Sequence, residues 1–301
     1  MGILQCIGNT PIASIDLNPN PGVKLFAKLE GNNPGGSVKD RIALYMVEAA
    51  EKSGQLTRDK IILEATSGNT GIGLAMVSTA KRYRLKLTMP ACVSIERRRI
   101  LEAFGAELIL TPSKEGTDGA IRLAHKILDE DPDKYFMPNQ FDNVANSLAH
   151  YETTGKEIIE QTAGGITHFV AGMGTTGTLM GVSRRLKEYN KDIRIVGVEP
   201  VQNHRIQGLK NMTESIRPKI FDPAMIDEHY YVNDEEAFDT TRMLAIKEGL
   251  FVGMSSGAAM HVALRKSSEL KQGIIVVLLP DRGDRYLSTS LFTSVCAKCP
   301  P

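Results

Sequence analysis

Short apolar runs rich in β-branched residues alternate along the chain with longer stretches whose apolar residues recur every three or four positions. The first pattern predicts strands and the second helices, and their alternation predicts an α/β architecture with largely parallel sheets. Residues 24–29 read as a strand that runs into a turn-rich loop and then into an apolar helical pattern at Ile42, Ala43, Met46 and Val47. Strands are predicted at 60–65, 85–89 and 107–110, and helices at 71–83, 94–104 and 117–129. A second series has a helix at 150–162, a strand at 167–171, a helix at 179–189 and a strand at 193–198. Helices at 235–248 and 256–270 and a buried strand at 274–279 complete the pattern.

Two β-α-β units share one layout. Strand 60–65 leads through Thr66-Ser67-Gly68-Asn69-Thr70-Gly71 into a helix, and strand 167–171 leads through Gly172-Met173-Gly174-Thr175-Thr176-Gly177-Thr178 into another. Two doubly wound parallel-sheet domains, each with a ligand loop at a strand's carboxyl end, account for both. The expected division gives 1–40 with 146–301 to a large domain and 41–145 to a small one.

The segment Gly31-Asn32-Asn33-Pro34-Gly35-Gly36-Ser37-Val38-Lys39-Asp40-Arg41 carries the sharpest chemical signal. Ser37 with Asp40 three residues on reads as a capping box, which puts Lys39 in the first helical turn. A cation is disfavoured at that positive helix end, so the amine tends toward its neutral, nucleophilic form. Lysines held this way form Schiff bases with carbonyl compounds. Against this stands the plain fact that most of the 36 lysines and arginines must be solvated surface groups.

The loop 172–178 is the best anion site: its glycines expose backbone N–H groups, its threonines add hydroxyls, and the following helix points its positive end there. It also matches G-x-G-x-x-G, with Glu199 ending the next strand, so a dinucleotide-dependent oxidoreductase competes. Three threonines favour a phosphate monoester, and that competitor leaves Lys39 idle. Loop 66–71 offers hydroxyls and an amide for a carboxylate, with a simple cap-and-turn role an equal reading. Either serine of Gly253-Met254-Ser255-Ser256-Gly257 reads as a helix N-cap.

Composition narrows the classes. The chain has 301 residues, 42% hydrophobic and 24% charged, with a formal net charge of +1, which offers no surface for nucleic acid or an anionic membrane. The runs Arg97-Arg98-Arg99 and Arg184-Arg185 fall on predicted helices and read as solvated faces. No apolar window has the length of a membrane span, no signal peptide is visible, and a cytoplasmic location is expected. Four scattered cysteines make no disulfide framework, the terminal Cys296/Cys299 pair lacks partners for zinc, and no metal site is expected.

These segments, together with Ile7-Gly8-Asn9-Thr10-Pro11, Asn139-Gln140-Phe141, His150-Tyr151-Glu152-Thr153-Thr154-Gly155 and Asp281-Arg282-Gly283-Asp284-Arg285-Tyr286, resemble the fold-type II pyridoxal-phosphate enzymes of the cysteine synthase (O-acetylserine sulfhydrylase) and cystathionine β-synthase group. The likeness covers nearly the whole chain. Asn32-Asn33-Pro34, the 174–178 loop and Asp281-Arg282-Gly283-Asp284 are most similar to the B type. The resemblance implies a tryptophan synthase β-like fold, a mobile small domain, pyridoxal 5'-phosphate as cofactor and a homodimer. It implies that Lys39 carries the cofactor aldehyde and acts as general acid/base. Gly174, Thr175, Thr176, Gly177 and Thr178 would hold the phosphate, Asn69 the ring hydroxyl and Ser255 the ring nitrogen. Thr66, Ser67, Gly68, Thr70 and Gln140 would bind the substrate carboxylate. The implied reaction turns O-acetyl-L-serine and sulfide into L-cysteine and acetate through an α-aminoacrylate intermediate. Gly208-Leu209-Lys210-Asn211-Met212 and Pro280 depart from the B-type pattern. The 209–212 stretch, followed by Phe221-Asp222-Pro223, resembles relatives that accept O-phosphoserine, where Lys210 would meet the substrate phosphate; a surface lysine accounts for Lys210 equally well. A cystathionine β-synthase-like acceptor is a further alternative, and a silent binding protein on this fold is a third class, against which the intact lysine argues.

Overall fold

The computed structural model describes residues 2–66 and 68–292, so Ser67, Cys296 and Cys299 lie outside the described residues. Ten strands and nine α-helices follow in chain order: β1 (Ile12–Ser14), β2 (Val23–Leu29), α1 (Lys39–Ser53), β3 (Ile61–Ala65), α2 (Asn69–Lys81), β4 (Arg84–Pro90), α3 (Ile95–Ala103), β5 (Glu107–Thr111), α4 (Gly116–Glu130), β6 (Tyr135–Phe136), α5 (Val144–Ala149), α6 (Gly155–Gln161), β7 (His168–Gly172), α7 (Gly177–Tyr189), β8 (Arg194–Pro200), β9 (Glu228–Val232), α8 (Asp234–Glu248), α9 (Met254–Glu269) and β10 (Gly273–Leu279). They form a six-stranded sheet in the order β1-β2-β10-β7-β8-β9 and a four-stranded sheet in the order β5-β4-β3-β6. Every pairing is parallel except β1 with β2.

The sequence pattern explains the layering. A strand covered on both faces must be apolar throughout, and β10 is such a run. Ile275, Val277 and Leu279 pack toward α8 and α9, while Val276 and Leu278 pack toward α6 and α7. In the smaller sheet, β3 sends Ile62 toward α1 and α2, and Ile61, Leu63 and Ala65 toward α4. Among the described residues no helix is long and apolar enough to cross a membrane, and no cluster of three or more His, Cys, Asp or Glu is placed to hold a metal.

Four local expectations need correction. The N-cap of α1 is Val38, with no capping side chain; Ser37 Oγ accepts from Lys39 N at 3.3 Å, and Asp40 reaches back to the amide of Gly35. The cap of α9 is Gly253, so both serines lie inside its first turn. The helix expected at 150–162 is instead a π-helical turn at His150–Thr154 followed by α6, both continuing from α5. Arg97 is no solvated residue: it is 1% exposed, stacked 4.7 Å from the centre of the Tyr286 ring.

One buried ion network ties the loop before Lys39 to the larger sheet. The Arg41 guanidinium donates Nε and Nη2 to the two oxygens of Glu30, both at 2.8 Å, and Nη1 and Nη2 to those of Glu157 at 2.6 and 2.7 Å. Lys28 Nζ adds a bond of 2.6 Å to Glu157, and Thr10 Oγ1 donates to Glu30 at 2.7 Å. Burial alone would push Glu157 up; the hydrogen bonds and charges of Arg41 and Lys28 outweigh it and hold its carboxyl down to about 2.

A carboxylate held below its ordinary value stabilises the fold fully above the unfolded pKa, about 4.3, and loses that stabilisation as pH falls through the folded value. Glu157→Gln leaves two buried cations short of their counter-charge and is expected to cost about 3–5 kcal/mol near neutral pH, measured by urea unfolding. The gap between the two proteins narrows below about pH 4. Equal urea midpoints at pH 7 would show the network to be energetically idle.

Candidate active site

A cavity of about 550 Å³ lies between the carboxyl ends of the two sheets. Lys39 from α1, Thr66 from the β3–α2 loop, Asn69 and Thr70 from the start of α2, Gln140, Gly174, Thr175, Thr176, Thr178, Ser255 and Lys210 all line it. The sequence-predicted residues thus meet in one place. Two of them, Gly68 and Gly177, belong to the same loops without lining the space: Gly68, with φ 139°, leaves room for the Arg97 side chain, and Gly177 leaves room for the Asn146 amide. Ser67 lies outside the described residues.

Lys39 is part-buried. Burial pushes its amine down to about 8, while the charges of Asp281 and Glu30 hold it up. Its neighbour Asp40 is pushed up by burial to about 7. On α2, Asn69 is fixed at both ends of its amide: Nδ2 donates to Asp281 Oδ2 at 2.5 Å and Oδ1 accepts from Arg285 Nη1 at 2.8 Å. Asp281 also accepts from the Tyr286 hydroxyl at 2.6 Å.

Thr66 Oγ1 accepts from the amides of Gly68 and Gly71, both at 3.2 Å, so it shapes the β3–α2 turn as well as facing the cavity. Thr70 Oγ1 donates to Gln140 Oε1 at 2.6 Å, and Gln140 Nε2 donates to Ala65 O at 3.0 Å. These hydroxyl and amide groups, with the first amides of the thirteen-residue α2, make a site for a carboxylate.

The opposite wall is the β7–α7 turn. Thr176 stands at the N-cap of α7 with φ 66° and ψ −6°, a left-handed conformation that costs a threonine about 1–3 kcal/mol. It turns the chain so that the open N-terminal end of α7 meets the cavity. A Cβ on Gly174 would lie 2.6 Å from the Gly208 carbonyl, and one on Gly208 would stand 3.5 Å from Ser255 Oγ and fill the space above that hydroxyl. The bare backbone at Gly174 therefore lets the turn pack against Gly208, and Lys39, Ser255 and the start of α7 line one cavity. A flat ring bearing an aldehyde and a phosphate matches this set: an amine for the aldehyde, a neutral hydroxyl beside the ring, and helix amides with threonine hydroxyls for the anion.

Several residues at the site carried no role in the sequence reading. Asn146, fully buried on α5, donates Nδ2 to Gln140 O at 2.7 Å and to Thr175 Oγ1 at 3.0 Å, bridging the two walls. An asparagine inside a helix is a weak former, and that mismatch was the available signal. His150 is fully buried and pushed down to about 3 by burial, so its neutral ring meets the hydroxyls of Thr154 at 2.9 Å and Thr178 at 3.3 Å. Glu64, buried on β3 and pushed up to about 8 by burial, accepts from the amide of Gln140 at 3.3 Å. Glu199, the residue a dinucleotide ribose would need, is itself buried, bonded to Met212 N at 2.6 Å and to His229 Nε2 at 2.7 Å. Lys210 is 9% exposed, which removes the surface-lysine reading.

Known proteins are similar to this chain along nearly its whole length. The family model described as pyridoxal-phosphate dependent enzyme matches residues 3–281. A cysteine synthase of Aquifex aeolicus is 47% identical over 302 residues, covering 97% of this chain and 92% of the relative. Cysteine synthase B of Salmonella typhimurium is 47% identical over 289 residues, covering 96% and 95%. Among solved structures, an O-ureido-L-serine synthase superposes with a TM-score of 0.92 at 40% identity, covering 97% of this chain and 95% of that one. Cysteine synthase from Entamoeba histolytica gives 0.91 at 39% identity, covering 97% and 90%. With an amine, a carboxylate site and a phosphate-ready helix end placed around one slot, and with these likenesses spanning almost the full length, the chain belongs to the pyridoxal-phosphate dependent enzymes.

Proposed function

We propose that this protein is a cysteine synthase that converts O-acetyl-L-serine and sulfide into L-cysteine and acetate. The observation that carries the reading is Lys39: a lysine with a lowered pKa opens α1 and faces, across one slot, the N-terminal end of α7. Pyridoxal phosphate, when bound, supplies an electron-withdrawing ring that stabilises charge at the α-carbon of a joined amino acid. The residues do the rest. Lys39 Nζ would hold the aldehyde of the cofactor and would serve as the base for the proton at the substrate α-carbon. Held near pH 8 rather than in the ordinary lysine range, it is a usable base at neutral pH. Thr66, Thr70, Gln140 and the amides at the start of α2 fix the substrate carboxylate, which orients the α-carbon toward Lys39. Ser67 and Gly68 belong to that loop by the same reading. Gly174, Thr175, Thr176, Gly177 and Thr178 anchor the phosphate and exclude water there.

Asn69 serves the ring hydroxyl with the amide hydrogen that Asp281 leaves free. Ser255 gives the ring nitrogen a neutral hydroxyl, a weaker electron sink than a carboxylate partner, which favours loss of a β-substituent over transamination. We assign the B type on Asn32-Asn33-Pro34 and Asp281-Arg282-Gly283-Asp284, and infer that 41–145 moves as a small domain that closes over the substrate. O-phosphoserine is the second donor to test, because Lys210 is buried in the cavity wall.

The purified protein is expected to be yellow, and borohydride reduction followed by peptide mapping is expected to place a pyridoxyl label on Lys39. O-acetylserine alone then releases one acetate per site, and sulfide added afterwards yields cysteine. Lys39→Ala is expected to lower turnover by about 10²–10⁴-fold with the fold intact by circular dichroism; full turnover in that variant would remove Lys39 from the mechanism.

A second expectation concerns the amine itself. In the cofactor-free protein, acylation of Lys39 should rise with pH around a midpoint of about 8. Asp281→Asn removes a charge that favours the ammonium form, so it lowers the midpoint. A midpoint near that of free lysine, about 10.4, would contradict the burial argument.

A further inference from the structure

The far end of the cavity, beyond Gln140, holds one ion pair that spans the two sheets. Lys210 follows β8 of the larger sheet, and Asp118 stands in the first turn of α4, which packs on the smaller one. Lys210 Nζ lies 3.7 Å from Asp118 Oδ1 and 4.4 Å from the centre of the Phe141 ring. The lysine side chain is 11% exposed and that of Asp118 is 30% exposed. At 3.7 Å the pair is held by charge alone, and Nζ has no hydrogen-bond partner among the described residues. Phe141 directly follows Gln140, so the ammonium stands beside the site assigned to the substrate carboxylate. Other charged residues that line the cavity have partners of their own: Glu115 meets Arg122 at 3.1 Å, Arg205 meets Asp234 at 2.8 Å, and Arg97 stands 3.9 Å from Asp281.

We propose that Asp118 is a specificity-determining residue: by occupying Lys210 it makes the side-chain end of the cavity suit a neutral ester and disfavours a doubly charged leaving group. This rests on the β-replacement reading above and names the donor class within it. An acetyl ester is uncharged and enters without disturbing the pair. A phosphate monoester carries a charge of about −1.5 to −2 at neutral pH and has three acceptor oxygens. It would compete for the same ammonium and place its charge against Asp118 in a partly dry space, where like charges side by side are strongly disfavoured. The poor geometry of the existing pair, with every ammonium hydrogen unused, leaves Lys210 ready to bind a phosphate once that repulsion is gone.

The test uses the holoenzyme. kcat/KM is measured for O-acetylserine and for O-phosphoserine in the wild type, Asp118→Asn, Asp118→Ser, Lys210→Met and the double variant Asp118→Asn/Lys210→Met. Calorimetry follows binding of the unreactive phosphonate in which a methylene replaces the ester oxygen of O-phosphoserine. Removing the carboxylate is expected to raise the O-phosphoserine to O-acetylserine ratio by about tenfold or more and to tighten the phosphonate by a similar factor. Both gains are expected to vanish in the double variant. A ratio that stays within about twofold in both Asp118 variants, or a gain that survives loss of Lys210, overturns the assignment. A wild type that turns over O-acetylserine with a flat ratio refutes the role of Asp118 alone. A wild type that releases neither acetate nor phosphate refutes the β-replacement reading and this assignment with it.

Discussion

The position of the Lys39 amine depends on Arg41. Two residues apart on a helix means about 200° of rotation, so side chains at 39 and 41 leave α1 on opposite sides. Arg41 is anchored by four charge-assisted bonds to Glu30 and Glu157, inside a network completed by Lys28 and Thr10. With that face of α1 locked against the end of β2 and against α6, Lys39 has only the cavity to point into. Gly73 on α2 adds the second restraint. A Cβ there would sit 2.9 Å from the Lys39 carbonyl, so only glycine allows α2 to pack so close to the first turn of α1. Two cations and two carboxylates cancel in this cluster, and each acidic oxygen has a donor; such a cluster specifies a single arrangement because any partial version leaves a buried charge unpaired.

The cavity is built at a seam, and polar side chains do the joining. Thr70 to Gln140, Gln140 to Asn146 and Asn146 to Thr175 form a continuous chain of hydrogen bonds from the smaller sheet's ligand loop to the larger sheet's phosphate loop. On the other side, Arg285 donates to Asn69 and to the carbonyl of Gly35, while Ser94 Oγ donates to Arg285 O at 2.8 Å. Asn69 is thereby held in one rotamer before any ligand arrives. An amide preset in this way loses little freedom when it meets a ring oxygen, which is the usual basis of preorganised binding.

How much of this the sequence disclosed follows from the range of the interactions. The central strands at 60–65, 167–171 and 274–279 were legible because strands buried on both faces are apolar throughout, and that pattern is local. Lys39 and the 172–178 turn were legible because a glycine-rich strand-to-helix turn is itself a local motif. The edge strands β1, β6 and β9 are short, of three, two and five residues, and β9 is exposed at alternate positions, so periodicity marks them weakly. Arg97 read as solvated because its neighbours Arg98 and Arg99 are charged; its burial is decided by Tyr286 and Asp281, nearly two hundred positions away. Ser37 fitted a capping box by spacing, yet Asp40 accepts from the amide of Gly35 instead. Lys210 could not be sorted between surface and site because its burial depends on Phe141 and on Asp118 across the seam.

A base for an α-proton must be neutral often enough to act, and the same nitrogen must then give up the proton it took. Burial drives Lys39 toward neutrality, and the nearby negative charges set how far it goes. Asp281 contributes the larger share and Glu30, which is bonded to Arg41, the smaller. Asp281 is placed differently: its Oδ2 takes the Tyr286 hydroxyl and the Asn69 amide, both neutral donors, and the Arg97 guanidinium stands 3.9 Å off. Its charge is the larger of the two that hold the amine up. Asp40, beside Lys39 in sequence, is pushed up to about 7 by burial and so carries only part of a negative charge at neutral pH. The amine accordingly rests on a balance between desolvation and two carboxylates, Asp281 before Glu30, and Asp281 also orients Asn69. Position and basicity at this site are set by the same few side chains, so a change at Asp281 cannot alter one without the other.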